Sequence, residues 1–135
     1  EFYDLIPLID WSQDLGFDVI QLLPLNDTGM DPSPYNALSS CAIDPIYLSL
    51  HPLEGAGQKE LYDLFQPLNK LPRLAFAQVK QKKIEWLYQY FQKRFSSIAK
   101  SSAYLNFLSE HSWLLPYALF KSCKSLYENA NLLHW

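Results

Sequence analysis

At 135 residues the chain is long enough for one compact core, and its 49% hydrophobic, 19% charged and 16% aromatic content is that of a globular protein rather than a disordered or fibrous one. A formal charge of −3 excludes a general nucleic-acid binder, which needs positive potential to gather phosphates, and it suits a neutral substrate. No apolar run reaches the roughly 20 residues of a membrane helix, and the distant Cys41 and Cys123 make neither a disulfide framework nor a zinc knuckle, which points to a reducing, cytoplasmic setting.

Glu1-Phe2 is neither an initiator methionine nor a signal sequence, and a helical pattern starts at once, so the chain reads as an internal piece of a longer one. Over residues 2–15 the spacing of Phe2, Leu5, Ile6, Ile9 and Trp11 predicts a helix with one apolar face, closed by Gly16 in the C-cap position. Pro7 requires that helix to start just before it or to kink there. The apolar run from Phe17 to Leu25 then reads as a buried parallel strand. An irregular stretch from Asn26 to about Gly57, stiffened by Pro32, Pro34, Pro45 and Pro52, is long enough to imply a job for the loop. Within it, Pro45 to Leu50 suits a brief strand.

From Lys59 onward strand signals disappear. A short helix is expected over 59–65 and a longer one over 75–95. In the longer one Ile84, Leu87, Phe91 and Phe95 form an apolar stripe, with Lys80, Lys82, Lys83 and Lys93 on a solvated face. Ser102 is expected to cap a third helix through Leu108. A fourth runs over 114–127 with Pro116 in its first turn, where proline's missing N–H does no harm. The fold class is therefore α/β, with residues 1–57 carrying the strand and its loop and 58–135 a helical insertion.

Chemistry concentrates in the loop that follows the expected strand. In α/β barrels the active site lies at the C-terminal ends of the strands. Ser33, Tyr35 and Asn36 follow one another there between prolines. A tyrosine ring stacks on a pyranose face, and hydroxyl and amide groups match sugar hydroxyls. The alternative is a proline-stiffened surface turn with Tyr35 packed inward. Asp27, Asp31 and Asp44 read as turn or cap formers rather than a catalytic pair. His51, His111 and His134 lack ligand spacing, so no metal site is expected. Lys80, Lys82 and Lys83 beside Trp86 and Tyr88 read as a solvated face, not a nucleic-acid patch. Ser39, Ser40 and Cys41 lack the glycine pattern of a nucleophile elbow.

The ordered set Gln21-Leu22-Leu23-Pro24-Leu25, Thr28-Gly29, Ser33-Pro34-Tyr35, Ser39-Ser40 and Pro45-Ile46-Tyr47-Leu48 resembles the 4-alpha-glucanotransferases (amylomaltases, or disproportionating enzymes) of glycoside hydrolase family 77. Trp113-Leu114, Tyr117-Ala118-Leu119-Phe120-Lys121 and His134-Trp135 extend the resemblance over nearly the whole chain. Two positions depart from the pattern: Asp44 stands where the family usually has asparagine, and Pro116 where an acidic residue is common.

The resemblance implies a fragment of a (β/α)8 TIM barrel with a mostly helical insertion subdomain. It implies transfer of a segment of an α-1,4-glucan (maltodextrin, glycogen or starch) to the 4-hydroxyl of an acceptor. Configuration is retained through a glycosyl-enzyme intermediate that needs two carboxylates. Those carboxylates belong to later strands, so this piece is expected to hold no catalytic residue and to be inactive alone, with no cofactor, metal, membrane or nucleic-acid partner. The resemblance assigns Tyr35, Ser33 and Asn36 to the substrate cleft, Tyr35 beside the cleaved bond. The competing readings are a non-catalytic glucan-binding or helical scaffold module and an α-amylase-like hydrolase, which would not be expected to show this order of motifs.

Overall fold

The computed structural model describes residues 1–127, so the expected tryptophan turn at His134-Trp135 lies outside the described part. The chain forms two compact units, Glu1–Tyr88 and Gln89–Trp135. The described residues are mostly helical, and the chain opens with a 3-10 turn, Phe2–Asp4, that runs into α1, Leu5–Asp14. Pro7 sits in the first turn of α1, so the helix does start just before it. The helix ends in a Schellman motif, because Gly16 takes φ +81. Its N–H then reaches Gln13 O, and the Phe17 N–H reaches Ser12 O.

The strand expected over Phe17–Leu25 is not formed. A buried parallel strand needs a neighbour on each side to accept its backbone bonds, and the described residues contain no second strand to supply one. The run is exposed instead, with Val19 at 81%. The one β-type pairing among the described residues lies just beyond it, an isolated antiparallel bridge between Asn26 and Ile43. The brief strand expected over Pro45 to Leu50 is likewise replaced by a 3-10 turn, Pro45–Tyr47. Asp44 caps that turn through Ile46 N–H, and Pro45 occupies its first position.

Unit 1 continues with α2, Gln58–Asn69, and the first half of α3, Phe76–Ile98. Helix α2 runs past Pro67, four residues beyond the expected end. The buried apolar residues of the described chain, Ala42, Ile46, Leu50 and Leu61, all belong to this unit, and the last three line one cavity. Unit 2 holds the end of α3, where the Phe91 and Phe95 rings lie 5.2 Å apart, then α4, Ser102–Glu110, and α5, Leu114–Leu126. Ser101, not Ser102, caps α4, accepting the Tyr104 N–H at 3.3 Å. Pro116 falls in the first turn of α5 as expected. A file of rings, Phe107, His111, Trp113 and Tyr117, joins α4 to α5 at centroid spacings of 4.1, 6.0 and 6.0 Å.

Candidate functional site

The two legs of the 27–44 loop run antiparallel at its base. Asp44 N–H donates to Leu25 O and Asp27 N–H to Ala42 O, both at 2.9 Å, and Leu38 N–H folds back to Asp27 O at 2.7 Å. At the tip, Asn36 N–H closes on Ser33 O at 3.2 Å, which makes Pro34 and Tyr35 the central residues of a β-turn. Asp31 braces that turn from behind. One of its carboxylate oxygens accepts the Ser33 N–H and the other the Asn36 side-chain amide, each at 2.8 Å. The Ser33 N–H, and then the Asn36 amide, hold the Asp31 carboxyl below its ordinary range. Tyr35 at the crest is 71% exposed. It is not packed inward. The structure therefore brings Ser33, Tyr35 and Asn36 together on one turn, with the ring facing outward.

Beneath the loop lies a feature that the sequence pattern does not announce. Lys80, from α3, is 1% exposed, and its ammonium lies 3.0 Å from Asp27 Oδ1 and 2.5 Å from Asp44 Oδ2. Both carboxylates are as deeply buried as the lysine. One ammonium serves two aspartate side chains, and backbone N–H groups donate to both. Gly29 donates to Asp27, while Thr28 and Ile46 donate to Asp44. The turn-forming roles expected for Asp27, Asp31 and Asp44 are all present, but two of the three also carry a buried ion pair. The ammonium further faces the Phe76 ring at 5.6 Å.

The solvated lysine face expected on α3 is thus corrected for two of its members. Lys83 is buried as well, and its ammonium donates to Ile46 O at 2.6 Å and Leu48 O at 2.9 Å and pairs with the Glu1 carboxylate. Lys82 is half-buried and reaches Leu64 O. Ile84, Phe91 and Phe95 of the expected apolar stripe are exposed. A signal was present: Phe76, Lys80, Lys83 and Leu87 follow one another at spacings of four, three and four, which is one helix face. Long lysine stems line such a face as well as aliphatic chains do, provided each ammonium meets acceptors at its tip.

A cavity of about 610 Å3 opens in unit 1 between the 45–51 segment, α2 and the start of α3, lined among others by Tyr47, His51, Tyr62, Phe65 and Phe76. Of the loop only Pro32 lines it; Ser33, Tyr35 and Asn36 do not. His51 stands edge-on to Tyr3, and His111 stacks on Phe107. Among the described residues no three His, Cys, Asp or Glu side chains gather as metal ligands would.

The family model of glycoside hydrolase family 77, described as 4-alpha-glucanotransferase, matches residues 1–135. The chain belongs to that family. It is 45% identical over 142 residues to a 4-alpha-glucanotransferase of Chlamydia pneumoniae, covering 100% of this chain and 27% of that protein. It is 34% identical to one from Synechocystis sp., covering 94% of this chain and 26% of the other. Against the 4-alpha-glucanotransferase DPE2 of Oryza sativa subsp. japonica the identity is 32%, covering 100% of this chain and 15% of the plant protein. The chain therefore spans about a quarter or less of the length of these relatives. No solved structure matches it significantly.

Proposed function

We propose that the protein carrying this chain is a 4-alpha-glucanotransferase. It moves a segment of an α-1,4-glucan onto the 4-hydroxyl of an acceptor glucan or glucose, and this chain supplies one wall of the sugar cleft. The observation that carries the reading is the Ser33-Pro34-Tyr35-Asn36 turn, rigid from below and presenting an exposed ring, in a chain of this family. Tyr35 stacks on a glucose face, while Ser33 and Asn36 contact sugar hydroxyls. The nucleophile and the acid/base are carboxylates from later barrel strands. No helix of the described residues is long and apolar enough to cross a membrane. A cytoplasmic location fits two free cysteines.

For the fold, we propose that residues 1–57 belong to a (β/α)8 barrel and 58–135 to a helical insertion. The exposed apolar side chains support this. Ile6, Ile9 and Trp11 on α1 and Phe17, Val19 and Leu23 beyond it are all exposed. So many exposed apolar side chains within 23 residues suit an interface, here with neighbouring strands of the barrel.

The test is disproportionation of maltotriose by the full-length enzyme and its Tyr35→Ala variant. Stacking of this kind contributes on the order of 1 kcal/mol, so the variant should lose about tenfold or more in kcat/KM while melting as the wild type does. Tyr35→Phe should lose less if the ring dominates. A full-length wild type that releases no glucose and builds no longer maltodextrins would refute the enzyme reading in favour of a non-catalytic glucan-binding module. A folded Tyr35→Ala enzyme with unchanged kinetics would make the turn merely structural.

A further inference from the structure

We infer that Lys80 is a positioning residue for the turn that carries Tyr35, acting as an ionic lock across the neck of the 27–44 loop; the inference rests on the glucan-binding role proposed for that turn. Its ammonium bridges residues that lie 53 and 36 positions away in sequence, one on each leg of the loop. The lysine stands on α3, the longest helix of the described chain, so the lock ties a loop to a rigid element.

From the lock, bonded groups lead without a break to the crest. Asp44 holds the Thr28 N–H and Asp27 the Gly29 N–H. The Thr28 hydroxyl donates to Asp31 O at 2.5 Å, and the Asp31 carboxylate grips Ser33 and Asn36 on either side of Tyr35. Only a few backbone bonds otherwise join the legs. A buried ion pair adds little net stability over apolar packing, so selecting one arrangement of the loop is the role that fits the geometry.

The experiment uses the full-length enzyme. Lys80→Met alone strands two buried carboxylates, so the working variant is the neutral triple, K80M/D27N/D44N, with Asp44→Asn as a milder second variant that loosens one leg. Amide hydrogen exchange over residues 27–44 should quicken about tenfold in the triple variant and less in Asp44→Asn, while the α4 and α5 amides keep their protection. The kcat/KM for maltotriose should fall about tenfold. Tyr35→Ala added to the triple variant should cost almost nothing more, because the ring is already misplaced.

Unchanged exchange over 27–44 in the folded variants would overturn the lock. Independent, multiplying losses from the triple variant and Tyr35→Ala would overturn its link to Tyr35 and leave Lys80 a structural residue. If wild-type enzyme shows no glucan transfer, the functional reading fails by itself, and the exchange experiment still decides whether the lock exists.

Discussion

Asp31 turns both carboxylate oxygens toward its own loop, and the charge is worth more to the turn than the size of the side chain suggests. Its pKa is depressed by the Ser33 N–H and the Asn36 amide. A depressed acid stabilises the folded turn fully above the ordinary aspartate value of about 3.9, and that contribution fades as pH falls through the lower folded value. In the full-length enzyme the Asp31 carboxyl carbon, followed by NMR, should therefore titrate with a midpoint below 3.9, and the Ser33 amide proton should shift with it. A midpoint at or above the ordinary value would mean that the two bonds are not kept in solution. At this same scale the lysines show how a residue name misleads. In an acidic chain Lys80 and Lys83 read as a solvated face, yet an ammonium can be buried once carboxylates and carbonyls are supplied from distant parts of the chain. The partners of Lys80 are 53 and 36 residues away, a distance that no local pattern reveals.

Among the elements, those set by nearest neighbours were legible in advance. The Gly16 stop of α1, Pro116 in a first turn and five helical stretches in the right order all depend on groups within a few residues, while Pro7 leaves a start or a kink open and the turn at Pro34-Tyr35 is only the alternative reading, with the ring inward. The expected strand over 17–25 was not realised, since a strand is a pairing and the described residues offer no partner. Asp44 departs from the family pattern, and its ion pair joins it to a lysine 36 residues away, beyond the reach of any local signal. Two glycines allow a test at this level. Gly16 and Gly29 both take positive φ, but a Cβ at Gly16 meets nothing within 4 Å, whereas one at Gly29 lies 2.8 Å from Leu38 Cδ1. Gly16→Ala should cost only backbone strain, about 1 kcal/mol. Gly29→Ala should cost about 1–2 kcal/mol, as it adds a displaced leucine and disturbs the N–H that Asp27 accepts. Thermal unfolding of both full-length variants checks the order; equal losses would mean Leu38 moves aside freely.

For the whole molecule, the balance between covered and open apolar surface is the main fact. The described core is small and lies in unit 1. Much larger apolar surface is left to solvent on α1 and over residues 17–23. Prepared by itself, the 135-residue chain is expected to bind a hydrophobic dye such as ANS, to self-associate, and to melt without a sharp transition. It should also turn over no maltotriose, since its only proposed sugar contacts lack a nucleophile. A monomeric, dye-silent chain with one cooperative transition would show that these 135 residues complete their own core, and would count against the barrel assignment. Enzyme-dependent formation of glucose and longer maltodextrins would show that the chain holds its own catalytic groups.

The buried trio of Asp27, Asp44 and Lys80 also bears on how such a sequence can drift. Loss of Lys80 alone strands two carboxylates in the interior, at about 3–5 kcal/mol, enough to threaten most folds of ordinary stability, whereas loss of either aspartate leaves the lysine paired with the other. Lys80 is therefore the position least free to change while both aspartates are present. No buried ion pair restrains the exposed Met30, Ala37 and Cys41 among the described residues. The neck is thus expected to change more slowly than the rim it supports. Under the sugar-binding role proposed for the turn, the rim is where specificity would be retuned without redesigning what lies beneath it.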